Sequence, residues 1–404
     1  MKQTQSEDEI DEQPPTSRRG FLLGTIGAAT AVSAAGVAAG DAGQRSDDGA
    51  LPSFRRDAVE EHRGDVATFA VDMGDYDEAT VRIGSEAVNY EVAATVVDGS
   101  GNGVVTVALD TFLAGRDGES GISAVADADS VRAVRQRTPT LSGPLDYAVY
   151  PLAVVVDDRI VAESLLTLLP RGTTAAHAAV APRLATATRS TAFREQIARA
   201  GAVARGDWAV VEIEASGVGA TLDSVDAFED ESLGYDLSVV EADVVNAEPE
   251  RVPLDRITVL PDPDADRFFA VLDSELLAVG TEYEATFSIT DASPYVSAGE
   301  RESVSTRFSV VERSAEVTVE GDELSLPAGE ATVSGTTTVA PGTQITVSAW
   351  GPSSSPFQQV DRPTVADDGT WAAAFDFGDL TPGTVVSITV LDLSPVVAAR
   401  VGSE

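Results

Sequence analysis

Short runs in which apolar and polar residues alternate, each closed by glycine, proline or aspartate, set the strongest limit on what this chain can fold into. Val66-Ala67-Thr68-Phe69-Ala70-Val71 and the stretches 79–83, 88–97 and 104–109 follow a period of two. That period sends successive side chains to opposite faces of a strand. Asp98-Gly99-Ser100-Gly101-Asn102-Gly103 joins the last two stretches as a hairpin turn. A second tight hairpin is expected over 153–161, with strand character again at 165–169.

From 171 to 205 the pattern changes: Ala, Thr and Arg dominate, and Phe193, Ile197 and Ala200 recur at helical spacing. This reads as a linker with one short helix. Strands resume at Trp208-Ala209-Val210-Val211-Glu212-Ile213, and a third set lies at 331–335, 344–350, 371–377 and 385–391. Pro341-Gly342-Thr343, Asp367-Asp368-Gly369-Thr370 and Pro382-Gly383-Thr384 punctuate that set. The expected fold is all-β: tandem immunoglobulin-like antiparallel β-sandwich domains with one short helix in a linker. The expected divisions are a signal and cleavage region at 1–43 and a polar linker at 44–62. A first β-domain at 63–185, a helical linker at 186–205, a second β-domain at 206–314 and a third at 315–404 follow. Arg63-Gly64-Asp65 and Arg205-Gly206-Asp207 each precede the opening strand of a unit, an echo that suggests a divergent repeat.

The formal net charge is −39, yet β-branched residues alternate throughout, so the charge belongs to the surface of folded domains. Lys2 is the only lysine, and every other cation is arginine. Dense carboxylate with almost no lysine suits molar salt, where screening reaches only about 3 Å and self-repulsion is weak. Such a surface repels phosphate and excludes nucleic acid as a partner.

Arg18 and Arg19 sit in Ser17-Arg18-Arg19-Gly20-Phe21-Leu22-Leu23, followed by an apolar Ala- and Gly-rich stretch to residue 39. This ordering predicts a twin-arginine export signal cleaved near 39–43, and hence an extracellular or cell-surface location. The C-terminal residues are too short and polar to span a bilayer, so the mature chain is expected not to be transmembrane. With no cysteine, no disulfide staples the exported domains and no thiol serves as nucleophile.

The stretch from Arg63-Gly64-Asp65-Val66 through Ile83-Gly84-Ser85, Asn89-Tyr90 and 98–103 resembles the first domain of haloarchaeal surface-layer-like glycoproteins. The last unit resembles the β-sandwich repeat of the same family, on Ser355-Pro356-Phe357, Asp367-Asp368-Gly369-Thr370-Trp371 and Phe375-Asp376-Phe377 together with the two Pro-Gly-Thr turns. Ser293-Pro294-Tyr295-Val296 and Ser303-Val304-Ser305-Thr306 resemble the segment between them. The resemblance implies an extracellular, all-β, surface-associated protein without catalysis. The chain departs from the family in its twin-arginine signal and in the lack of a sorting tail. Nor does any of Asn89, Asn102 and Asn246 open a glycosylation sequon.

Candidate sites are few. His62 and His177 are the only histidines, and no Gly-x-Ser-x-Gly elbow accompanies them, so both are expected at the surface without a catalytic role. Asp98, Ser100 and Asn102 followed by Gly103 match the first half of a calcium loop, with Leu109 where the bidentate Glu should stand. Calcium is therefore the one cofactor considered. Asp262-x-Asp264-x-Asp266 is a weaker candidate of the same kind, with Arg267 in place of the glycine. Trp350 and Trp371 are candidates for stacking on sugar rings, against a core role for Trp371 in the alternation of 371–377. The two Arg-Gly-Asp tripeptides are read as strand entries and not as adhesion motifs. The function expected is that of a structural or interaction protein whose partner is a surface-layer or other cell-surface protein. A module for extracellular polysaccharide comes second, and a glycoside-acting enzyme last.

Overall fold

In the computed structural model of the protein, the described residues are 49–116, 120–183, 191–318 and 324–402. Arg18 and Arg19 lie outside them.

The alternating runs form strands, and the strands form six sheets that face each other in pairs. In the first pair, Ser53–Phe54, Val66–Asp72, Val104–Asp110 and Ile122–Ala124 make one sheet. Ala58–His62, Arg159–Leu169, Val149–Val156, Glu78–Ser85, Tyr90–Val97 and Ser130–Gln136 make the other. The inward residues of both, among them Phe69, Val107, Val81, Tyr90 and Leu152, share one buried core. Thr370–Asp376 shows the principle most plainly: its residues alternate between exposed and buried along the whole strand.

The second pair joins a five-stranded sheet (Ala198–Arg199, Gly172–Ala181, Trp208–Ser216, Arg267–Asp273, Ile257–Asp262) to a four-stranded one (Ala202–Ala204, Arg301–Val311, Glu282–Thr290, Tyr235–Glu241). Phe268 and Phe287 meet edge to face across it, with centroids 5.0 Å apart. The third pair sets Ala315–Val317, Glu330–Thr337 and Thr370–Asp376 against Leu324–Leu326, Val397–Val401, Val385–Val390, Val347–Trp350 and Gln358–Asp361. Three immunoglobulin-like sandwiches therefore follow one another along the chain.

One pairing recurs in all three. A short early strand runs parallel to the last strand of its unit: Ala58–His62 with 165–169, Ala202–Ala204 with 309–311, and Leu324–Leu326 with 399–401. All other strand pairs among the described residues are antiparallel.

The structure moves the expected divisions. The polar linker at 44–62 contains the strands Ser53–Phe54 and Ala58–His62 of the first sandwich. Gly172–Ala181, assigned from sequence to the first β-domain, pairs with Trp208–Ser216 in the second sandwich. Only Pro170 and Arg171 separate the two sandwiches, so the change of composition at 171 marks the crossing itself and not a linker. The helical linker reduces to one turn of helix, Thr191–Arg194, followed by two strands of the second sandwich. Phe193 from that turn is buried against Val210, Phe269 and Val271 on the outer face of the sheet. None of the helices among the described residues is long and apolar enough to cross a membrane.

Candidate functional site

Among the described residues, the most buried carboxylates lie where one sandwich meets the next. Asp65 and Asp207, the acids of the two Arg-Gly-Asp tripeptides, are 4% and 0% exposed. An adhesion partner cannot reach either.

Each tripeptide is built the same way. Gly64 and Gly206 take φ of +95° and +96°, values that favour glycine. The Gly64 N–H donates to Thr111 Oγ1 at 2.6 Å, and that hydroxyl donates on to the Asp65 carbonyl at 2.8 Å. In the second sandwich the Gly206 N–H donates to Ser274 Oγ at 2.9 Å, and Ser274 donates to the Asp207 carbonyl at 2.5 Å. The hydroxyl fixes the turn, and the turn aims the carboxylate out of its own sandwich. Asp65 accepts from the Gly217 and Gly219 N–H groups of the second sandwich, each at 2.6 Å. Asp207 accepts from the Ala340 N–H of the third at 2.8 Å and pairs with Arg313 at 2.7 Å. Hydrogen bonds to a charged acceptor are worth about 1.5–3 kcal/mol, more than neutral ones.

Other contacts close the first joint. A Cβ on Gly64 would stand 2.2 Å from the Gly217 carbonyl oxygen, so only glycine permits this approach. Phe112 of the first sandwich enters the second core, and its ring lies 6.1 Å from that of Tyr295. Arg63 bonds Asp146 at 2.6 Å and lies over the ring of Tyr295 at 5.0 Å.

Beside Asp65 the structure gathers residues that sequence reasoning kept apart. Ligand atoms of Glu61, His62, Asp65 and Asp266 all lie within 4.8 Å of one another. His62 Nδ1 is 3.3 Å from Asp266 Oδ1, so His62 is half-buried in a joint and not a free surface residue. Burial pushes the Asp65 carboxyl above its ordinary value despite its two amide donors, and Asp266 pushes the same way. Burial likewise raises Glu61, with Asp65 and Asp266 adding to the effect. Next to this cluster opens a polar cleft of about 340 Å³, lined in part by His62, Arg199, Glu212 and Asp266. Two signals for the cluster were present in the sequence, the repeated tripeptide and the Glu-His pair before it. The third partner, Asp266, comes from 201 positions away and left none.

The remaining candidates disperse. Asp262 pairs with Arg194 and Arg267, while Asp266 turns to His62, so the acids of Asp262-x-Asp264-x-Asp266 do not converge. His177, expected at the surface, is partly exposed and faces Glu214 at 3.2 Å. In the loop at 98–103, Asp98 takes the N–H groups of Gly101, Asn102 and Gly103 and the Ser100 hydroxyl. Against the cost of desolvation, these donors hold the Asp98 carboxyl below its ordinary value. Asn102 Oδ1 accepts from the Val104 N–H at 2.8 Å. Asp98, Ser100 and Asn102 thus brace a hairpin, and an ion there would have to displace those donors. Trp371 is 2% exposed in the third core, with its indole N–H donated to the Thr336 carbonyl. Its strand puts it on the buried face with Ala373 and Phe375, which rules out stacking on a ligand. Trp350 differs: half-exposed, it borders an open hollow of about 500 Å³ with Pro352, Ser355 and Thr384.

Comparison with known proteins gives the molecule its relatives. Residues 44–155 match the family described as Domain of unknown function (DUF7827). Cell surface glycoprotein 2 of Haloarcula hispanica is 27% identical over 84% of this chain and 43% of its own length. Cell surface glycoprotein of Haloferax gibbonsii is 26% identical over 83% of this chain and 42% of its own. The chain is a relative of the haloarchaeal cell-surface glycoproteins. It spans less than half the length of these curated relatives. Among solved structures, titin domains I67–I69 cover 87% of this chain and 98% of their own at a TM-score of 0.21 and 9% identity. A marsupial T cell receptor covers 86% and 97% at a TM-score of 0.18 and 12% identity. Scores this low do not bear on the sandwich assignment, which rests on the paired sheets and their cores. The cell-surface glycoprotein relationship, by contrast, extends over more than four-fifths of the chain.

Proposed function

We propose that this protein is an exported, salt-adapted structural or interaction protein of an archaeal cell surface, associated with the surface layer, and that it is not an enzyme. The observation that carries this reading is the use of the most buried carboxylates among the described residues. Asp65 and Asp207 hold one sandwich to the next instead of facing a substrate cleft. Its similarity to cell surface glycoproteins supports the cell-surface location. The single lysine and the net charge of −39 favour molar salt, and Arg18-Arg19 favours twin-arginine export. A surface-layer protein is the partner most consistent with these features. Edge strands such as Gln358–Asp361 offer a place for it by strand addition.

Fractionation of native cells in molar salt tests the reading. Recovery in the layer released by chelating divalent cations is the expected result, and recovery wholly in the medium would contradict association with the layer.

The half-exposed Trp350 beside its hollow favours a second reading, retention on extracellular polysaccharide. On that reading Trp350→Ala abolishes retention on such a polymer with at most a small shift in the unfolding temperature. Unchanged retention removes it.

A further inference from the structure

The two joints are copies of one device, and they differ in what balances the charge of the buried carboxylate. Strand register fixes the correspondence. His62 pairs with Leu169 as Ala204 pairs with Val311, so Glu61 and His62 stand where the second joint has Val203 and Ala204. Arg171 follows the last strand of its sandwich by two residues, as Arg313 does. Asp266 accepts from the Ala215 N–H just before the strand Arg267–Asp273, as Gly369 accepts from the Thr337 N–H just before Thr370–Asp376.

At the second joint the guanidinium of Arg313 meets Asp207 at 2.7 Å, and the neighbouring positions Val203, Ala204 and Gly369 hold no ligand atoms. At the first joint the corresponding arginine is drawn elsewhere. Arg171 bonds Glu302 at 2.8 Å and lies 5.9 Å from the ring centroid of Tyr295. Among the described residues no guanidinium pairs with Asp65. In its place stand two more carboxylates and an imidazole, all at positions that are apolar or glycine in the other copy. Loss of the arginine partner and gain of three metal-ligand residues occur together, at one place, from three separate segments of chain.

We propose that the first joint binds a divalent metal ion through Glu61, His62, Asp65 and Asp266, and that the ion does there what Arg313 does at the second joint. Each Asp65 oxygen accepts one amide N–H and keeps a lone pair for a metal. The mutual separations, all within 4.8 Å, suit ligands grouped around one cation. One imidazole among three carboxylates favours a first-row ion such as Mn²⁺ or Zn²⁺ over Ca²⁺, whose ligands are oxygens alone. Because Asp266 belongs to the second sandwich and the other three residues to the first, the ion ties the two together.

The test is a titration of the chelator-treated full chain, folded in molar NaCl, with Mn²⁺ alone, followed by electron paramagnetic resonance and calorimetry. Zn²⁺ and Ca²⁺ serve as competitors. The variant Glu61→Val, His62→Ala, Asp266→Gly writes the residues of the second joint into the first. The expected result is one Mn²⁺ per wild-type chain, bound at least tenfold more tightly than by the variant, and displaced by Zn²⁺ more readily than by Ca²⁺. The ion should raise the unfolding temperature of the wild type and leave that of the variant unchanged. Should the triple variant not fold, His62→Ala removes one ligand and keeps both strands, and it too should bind at least tenfold more weakly. No stoichiometric site, or equal affinity in a folded variant, would overturn the proposal.

Discussion

At the residue scale, environment decides between side chains of the same type. Asp207→Ala leaves the N–H of Ala340, itself 1% exposed, without its acceptor and Arg313 without its partner. Leaving one buried donor unsatisfied costs about 1–3 kcal/mol, and the partly exposed arginine adds little. A loss of about 2–3 kcal/mol is therefore expected in denaturant unfolding. The two tryptophans separate just as cleanly. Trp371→Ala should cost about 3–5 kcal/mol, as for other buried large aromatics. Trp350→Ala should cost about 1 kcal/mol or less. Glu212 supplies a pH dependence. Burial opposes its charge, but Arg199 and Arg267, at 2.9 Å each, hold its carboxyl below the ordinary 4.5. A depressed folded value means stability that is present above pH 4.5 and lost as the pH falls below it. Glu212→Gln should flatten that part of the acid unfolding curve, measured as unfolding temperature against pH. Neither tryptophan's fate was fixed by its type. The alternation of 371–377 showed Trp371 inward, whereas Trp350 ends its strand beside a loop.

At the element scale, what the sequence disclosed was local and what it concealed was not. The strand Val104–Asp110 and the hairpin of 149–169 were legible because alternation and turn residues are neighbours in the chain. Asp157 and Asp158 at that turn take φ of +48° and +61°, as a two-residue hairpin connection demands. Ala58–His62 was missed because Ala-Val-Glu-Glu-His shows no alternation and pairs with a strand more than 100 residues away. Gly172–Ala181 was given to the wrong sandwich because the chain crosses the joint with no linker. The joint itself was half-visible. The tripeptide echo marked its position, but the partners Gly217, Gly219 and Ala340 are backbone groups, and backbone donors leave no mark in a sequence. Gly217 tests the element directly. At φ +74°, a Cβ there would lie 2.4 Å from the Arg63 carbonyl oxygen. Gly217→Ala should therefore strain the left-handed turn and part the first joint, costing about 1–3 kcal/mol where a Gly-to-Ala change at an unstrained position would stabilise.

At the scale of the whole molecule, three sandwiches behave as one body only while both joints hold. The third sandwich carries no copy of the device. In register with Arg63-Gly64-Asp65 it has Pro327-Ala328-Gly329, and Phe377 stands where Thr111 and Ser274 fix the turn. The series of joints thus involves two carboxylates, and removing both isolates the account's central claim. Scanning calorimetry of the full chain in molar salt is the direct measurement. The wild type should unfold in one transition whose calorimetric and van't Hoff enthalpies agree. Asp65→Ala with Asp207→Ala should split it into separate transitions, with each core still melting cooperatively. A wild type that already melts in independent steps, or a double variant whose single transition is unchanged, would contradict the claim that these buried carboxylates bind the sandwiches together.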